Sequence, residues 1–239
     1  MSGHSKWSTI KRAKGALDAK RSALFGKLSK KISIATREGG GGDPSHNFKL
    51  RVEIEKARAQ SMPNDNIERA IKKGLGQGGG PAIEEIVYEG YGPNGVALLI
   101  ETATDNSNRT VQSIKHILSK NGGSLGAKGS TAWQFETIGQ IMVENTGNGT
   151  EDSELLAIEN GAKDTESSSD GLIIVTEAAE LNEVTNKLKE AGAKIASSEI
   201  IRRSTQPTTP TEDLENKINH LVELLEEDDD VISVFTSLN

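Results

Sequence analysis

The sequence contains no cysteine, which excludes disulfides and thiolate metal sites and fits a reducing compartment. Aromatic residues make up 3% and all hydrophobic residues 34% of 239 positions. That is lean for one large core and fits several small modules, each with a thin core of Leu, Ile, Val and Ala. No run of about 18 apolar residues could span a bilayer, and the N-terminal stretch lacks the apolar segment of a signal peptide. The histidines, His4, His46, His116 and His220, are scattered and form neither HxxxH nor HExxH. There is also no GxSxG and no GxxxxGK[ST]. Carboxylate runs such as Glu226–Asp230 read as solvated helix ends, with a carboxylate-held magnesium ion as the alternative. The chain therefore reads as a soluble intracellular protein with thin enzyme signatures, and no cofactor or metal is expected.

What is abundant is charge, and it is divided. Residues 1–80 hold 17 Lys and Arg against 7 Asp and Glu, a net of +10, and the remainder carries −17. The overall −7 conceals this asymmetry. A cationic block confined to one segment is a footprint for a polyanion, nucleic acid foremost.

Hydrophobic spacing organises the chain. Leu17, Leu24, Leu28, Ile32 and Ala35 share one stripe at 100° per residue, so 17–37 is expected to be a helix. A second helix is expected from about His46 to Ser61, with Leu50, Ile54 and Ala57 inward. A third begins near Asn64 or Asp65, where Glu68 suggests a capping box, and ends at Lys72, Lys73 and Gly74. The glycine-rich stretch from Gly74 to Pro81 reads as a linker. Beyond it the period becomes two. Strands are expected at 83–91 and 96–104 around a Gly-Pro-Asn-Gly turn, then a helix over 108–121 and a strand starting at Thr131–Phe135. Residues 136–205 read as βαββαβ, the ferredoxin-like order, and are expected to be an inserted domain. Residues 81–135 and 206–239 would then form one discontinuous α/β domain, with a helix over 211–227 and a last strand over 230–236. The expected class is α+β: an N-terminal three-helix module plus two α/β sandwich domains. Two sequential α/β domains are the alternative.

The candidate contacts follow from the charge. The N-terminal arm carries Lys6, Trp7, Lys11, Arg12 and Lys14, cations for phosphates and an indole that can stack on a base. On the first helix Lys20, Lys27 and Lys31 fall within about 40° of one another, a row that could follow a phosphate backbone; Arg21 and Lys30 are further candidates on the same helix. The bland reading is a solvated tail and helix face with snorkelling lysine stems. Asp105, Asn106, Asn108 and Arg109 cluster at a helix start, where capping by Ser107 or Asn108, with Asp105 near the positive end, explains most of the cluster; the functional alternative has Arg109 bind a phosphate or carboxylate. Gly122, Gly123, Gly126 and Gly129 could cradle an anion, though a helix C-cap and tight turns explain them more simply.

Several blocks resemble one family. Gly3-His4-Ser5-Lys6-Trp7 with Ile10 and Lys11, Asp18-Ala19-Lys20-Arg21 with Phe25, and Arg58-Ala59 through Met62 are similar to the N-terminal part of the YebC family. So are Ile67 to Ile71, Tyr88 to Pro93 with Gly95, Thr104-Asp105-Asn106 with Asn108-Arg109-Thr110, and the glycine block from Gly122 to Ser130. The resemblance spans residues 3–130 and continues as pattern over 136–239. It implies a helical N-terminal domain followed by two α/β domains, and a non-enzymatic role in gene expression. Members are described as transcriptional regulators that bind DNA. Organellar relatives, among them the translational activator of cytochrome c oxidase, and some bacterial ones resemble ribosome-associated factors that assist elongation at difficult sequences. The motif begins at residue 3, which on this resemblance favours a bacterial cytoplasmic form over an organellar one. Promoter DNA and ribosomal RNA both remain open as partners. A protein–protein adaptor working through the acidic α/β domains is a further reading.

Overall fold

The computed structural model describes residues 19–77, 79–144, 150–168 and 171–238. Its first helix, α1 (Ala19–Glu38), is amphipathic twice over. One stripe, Leu28, Ile32 and Ala35, packs with Leu50, Ile54 and Ala57 of α2 (Phe48–Ala59) and with Ile67 and Ala70 of α3 (Asn64–Gly74). Burying each of the larger side chains contributes about 1.5–3 kcal/mol. Leu24, expected on the same stripe, is 38% exposed; the ring of Phe25 packs on the core instead.

The chain enters α2 through the buried Asn47. Its Oδ1 accepts from the Leu50 amide at 3.0 Å, while its Nδ2 donates to the carbonyls of Ala35 (2.9 Å) and Gly41 (2.8 Å). One amide thus caps α2 and ties it to the end of α1. The capping box expected on α3 does not form. Pro63 is the N-cap, so Asp65 already lies inside the helix, where its charge favours the positive end of the dipole.

At the end of α3, a Cβ on Gly74 would lie 2.4 Å from the Ser33 carbonyl oxygen and 2.6 Å from the Thr36 Cβ. The Ser33 hydroxyl also donates to the Ala70 carbonyl at 2.8 Å. Glycine lets α1 and α3 meet this closely. Gly74→Ala is expected to cost about 1–3 kcal/mol through overpacking. Denaturant unfolding reads this as a lowered midpoint; an unchanged midpoint would mean the two helices separate without loss.

The second stripe of α1 centres on Ile34, which forms a buried cluster with Ile83 and Ala103, with Ile232 against it. Through it the helical module joins a four-stranded antiparallel sheet. Strands β1 (Glu84–Tyr91) and β2 (Ala97–Thr104) form a hairpin whose turn places Asn94 and Gly95 at φ 57° and 76°. Helix α4 (Ser107–Lys120) follows, then the two-residue β3 (Ser124–Leu125), which pairs with Gly90 and Tyr91. This short strand is the third of the sheet, in place of the one expected at Thr131–Phe135. There the chain makes a 3-10 turn at Ala132–Gln134 because its amides are engaged by Glu89, described below. Helix α7 (Glu212–Glu226) and β8 (Val231–Thr236) complete the layer, with Leu98 opposite Thr236. Leu98, Ile100, Ile114, Leu118, Leu221, Leu225 and Val231 form its core.

Between these parts runs a second compact unit, Trp133–Pro207. It contains β4 (Phe135–Glu144), α5 (Thr150–Glu159), β5 (Asp164–Ser168), β6 (Gly171–Glu177), α6 (Leu181–Glu190) and β7 (Ile195–Ser204). The sheet order β5-β6-β4-β7, antiparallel throughout, is that of a ferredoxin-like fold. Ile141, Val143, Leu172, Ile174, Val184 and Leu188 line the face under its helices. β4 starts four residues before the expected Gly139, because Glu136 and Thr137 pair with Arg203 and Arg202 and their polar side chains mask the strand period. Helical module and discontinuous α/β part cluster together as the other unit. No helix among the described residues is long and apolar enough to cross a membrane.

Candidate nucleic-acid interface

The acidic run Glu226–Asp230, expected to be a solvated helix end, contains the most heavily bonded carboxylate of its unit. Asp230 begins the turn into β8, and its side chain is only 4% exposed. Oδ1 accepts from Lys30 Nζ at 2.6 Å, and both oxygens accept from Arg109 Nη2, at 3.1 and 2.9 Å. The hydroxyls of Thr104 and Thr110 reach Oδ2 at 3.1 and 2.7 Å. Burial alone would raise its pKa, but the hydrogen bonds from Lys30, Arg109 and Thr110 and the Lys30 charge outweigh that, lowering it from 3.8 to about 2. Elements far apart in sequence, α1, β2, α4 and the start of β8, thus converge on one charge.

This hub redefines several candidate contacts. Lys27 donates to the Glu226 carbonyl at 2.5 Å, and Lys30 donates to the Asp229 carbonyl at 2.8 Å as well as to Asp230. Burial pushes the Lys27 ammonium below the ordinary lysine range, against the pull of Glu226, Asp228 and Asp229. Half-buried Lys31 lies near enough to Glu85 to lower that carboxyl's affinity for a proton, although burial and other carboxylates raise it overall. The geometric cause is simple. Lys27, Lys31 and Ile34 fall within about 60° on α1, so the lysine row is the stripe that docks on the sheet. Lys27 and Lys30 are therefore corrected from phosphate contacts to internal ties. Arg109 does bind a carboxylate, but it is the chain's own, with Asp105 Oδ1 at 3.2 Å in addition. The cap of α4 is Asn106, one residue before the expected Ser107 or Asn108; its Oδ1 accepts from the Arg109 amide at 3.1 Å.

The glycine-rich return cradles an anion, and this too is internal. Glu89 is buried on β1. Its Oε1 accepts from the Gly129 amide at 2.5 Å, and its Oε2 from the amides of Thr131 (2.6 Å) and Ala132 (2.7 Å). Burial opposes ionisation, but these amides hold its carboxyl below the usual range. Gly129 takes φ +86°, a backbone conformation that favours glycine. Glu89 and Asp230 were both invisible to sequence reasoning. The one available signal for Asp230 was its position at a strand start, where one residue of a polar run must turn inward.

The arm residues Lys6, Trp7, Lys11, Arg12 and Lys14 lie outside the described residues, as does the side chain of Lys20 in the first turn of α1. Arg21 is exposed, its guanidinium 5.7 Å from the Phe25 ring centre. The sequence pattern does not distinguish the other exposed cations of the module from a solvated face. Lys49 pairs with Glu38 at 3.4 Å, and Arg69 bonds to the Asp65 carbonyl at 3.2 Å. Arg37, Arg51, Arg58, Lys72 and Lys73 are exposed and make no ion pair with a described residue. On α2, Arg51 and Arg58 fall within about 20° of each other; on α3, Lys72 and Lys73 lie away from the buried Ile67 and Ala70. Among the described residues of the helical module, free positive charge is presented by α2 and the C-terminal turn of α3, with Arg37 from the end of α1 and Arg21 near its start.

Residues 5–77 match the family model described as "TACO1/YebC protein N-terminal domain", and residues 83–238 the model described as "TACO1/YebC second and third domain". Over its full length the chain is 50% identical to a "Probable transcriptional regulatory protein" of Chloroflexus aggregans, covering 96% of that protein. It is 47% identical over 98% of its length to a similarly named protein of Thermoanaerobacter pseudethanolicus, again covering 96%. Among solved structures it is similar to the "Conserved Hypothetical Protein Aq1575 from Aquifex Aeolicus", with a TM-score of 0.84 and 40% identity, covering 93% of this chain and 91% of that one. With both models matched in order and half the residues identical to those of a relative covered to 96%, the chain belongs to the TACO1/YebC family.

Proposed function

We propose that this chain is a non-enzymatic, cytoplasmic regulator of gene expression that binds nucleic acid through its basic helical module. The observation that carries this reading is the set of exposed, unpaired cations on that module: Arg37, Arg51, Arg58, Lys72 and Lys73. Lys27, Lys30 and Arg109 are engaged by the chain's own groups, whereas these five make no ion pair among the described residues and stay available to phosphates. The excess of acid beyond residue 80 confines such contact to one part of the molecule. The names of the relatives, "Probable transcriptional regulatory protein", agree with this role. Promoter DNA and ribosomal RNA offer the same phosphates, and these cations serve either.

Fluorescence anisotropy with labelled oligonucleotides tests it. Four phosphate contacts predict a loss of affinity of roughly 50- to 150-fold between 50 and 200 mM salt. Reversal of Arg51, Arg58, Lys72 and Lys73 to Glu is expected to abolish binding with the circular dichroism spectrum unchanged. Binding that ignores salt, or that survives the fourfold reversal, overturns the proposal.

A further inference from the structure

Phe48 stands out from the exposed surface of the helical module. It is 54% exposed, and its ring belongs to no core cluster. It is the first residue of α2, directly after the buried Asn47, whose three hydrogen bonds fix where the helix starts. The Arg51 guanidinium lies over the ring, 5.3 Å from its centre. Arg51 has no carboxylate partner among the described residues, and Arg58 follows two turns along the same side of the helix.

The module contains a second arginine–phenylalanine pair, Arg21 over Phe25, and the comparison decides what the first one is for. The Phe25 ring packs against the core, so that arginine merely covers a structural side chain. Phe48 leaves more than half of its surface in solvent and joins no core cluster, so core packing does not explain that exposure. Cation–π pairs of this kind occur about once per 70–80 residues, so the contact alone would mean nothing. The combination is more specific: an aromatic face open to solvent, a stacked guanidinium free of carboxylates, and a backbone anchor that holds both. Planar groups of this type, aromatic rings and arginine planes, are what unpaired bases stack on. A base inside a duplex is already stacked on both sides and offers no such face.

We infer that Phe48 and Arg51 form a stacking platform for an unpaired nucleobase, with Arg58 placed for a phosphate of the same strand. The inference rests on the nucleic-acid reading above and narrows it to single-stranded or looped segments.

The test compares unstructured oligouridine and oligodeoxythymidine 20-mers with a hairpin duplex, using the full chain and its Phe48→Ala and Phe48→Trp variants. Phe48→Ala is expected to weaken single-strand binding roughly 5- to 150-fold, the range of one lost base stack. It should leave duplex binding within twofold and the salt slope unchanged, since stacking releases no counterions. Phe48→Trp should retain or improve single-strand affinity. Loss on both strand types marks the base as the recognised group; loss on one marks ribose or deoxyribose as its source. Unchanged single-strand affinity in Phe48→Ala, or equal losses on single strand and duplex, overturns the platform while the nucleic-acid reading stands. Failure of the wild-type chain to bind any of the three probes overturns that reading itself.

Discussion

Asp230→Ala is expected to destabilise the unit formed by the helical module and its sheet by about 2–4 kcal/mol, since it removes a buried carboxylate hydrogen-bonded by two cations, while Arg109, 58% exposed, is rehydrated. The substitution leaves Lys30 and Arg109 without their shared carboxylate and removes an acceptor from the hydroxyls of Thr104 and Thr110, the latter keeping the Asn106 carbonyl at 3.0 Å. Amide exchange measured by mass spectrometry localises the effect: α1, the start of α4 and β8 should lose protection, and Trp133–Pro207 should not. Asp230→Asn, which keeps the size and loses the charge, should fall between. Unchanged exchange in α1 for the alanine variant would show that the hub joins nothing. Acid offers an independent check. The carboxyl has its pKa lowered from 3.8 to about 2 on folding. It therefore stabilises the fold above about pH 4, and that contribution, roughly 2 kcal/mol, drains away as the pH falls toward 2. The Asp230→Asn variant should lose less stability than the wild-type chain across that interval.

Glu89→Ala is expected to be about as damaging, some 3–5 kcal/mol, because it strands the amides of Gly129, Thr131 and Ala132 in a buried site at about 1–3 kcal/mol each. Glu89→Gln should rescue little. A carboxylate accepts at both oxygens, whereas an amide turns an NH₂ toward at least one of these donors. Limited proteolysis across 122–132 and a thermal melt would register the effect. A glutamine variant as resistant as the wild-type chain would show that charge and double acceptance are dispensable there. Glu89, like Asp230, is held below its ordinary pKa, so its stabilisation too is present above the unfolded carboxyl range and fades in acid.

These two carboxylates mark the limit of what the sequence discloses. Periodicity is a local property. A 3.6 repeat through Leu28, Ile32 and Ala35, and the alternation on either side of Gly92–Gly95, are enough to place α1, β1 and β2 within a residue or two of their ends. The same holds for the βαββαβ order of 133–207, where the burial pattern repeats the apolar pattern. Whether a charged residue faces water or a partner is decided elsewhere in the chain. Lys27 and Lys30 find their acceptors 199 and 200 positions away, and Arg109 finds Asp230 at a separation of 121. A helix with two apolar stripes looks, from sequence, like a helix with one stripe and a row of solvated lysines. Ile34 was the residue that distinguished them. Short elements escape for another reason: β3 has two residues, and two residues carry no period.

The pairing of β2 with β8 fixes the order in which the chain can be finished during synthesis. Leu98 and Thr236 are neighbours in the sheet, yet the whole of Trp133–Pro207 is made between them. That intervening body has its own sheet and core and can settle as soon as it emerges. The strand Ala97–Thr104, buried along nearly all of its length in the finished protein, must meanwhile wait with one flank unpaired. An apolar edge held open in this way invites intermolecular pairing. Nascent chains stalled before residue 231 are accordingly the species most exposed to aggregation, and the burden on chaperones should fall at that interval rather than at the N-terminal helices.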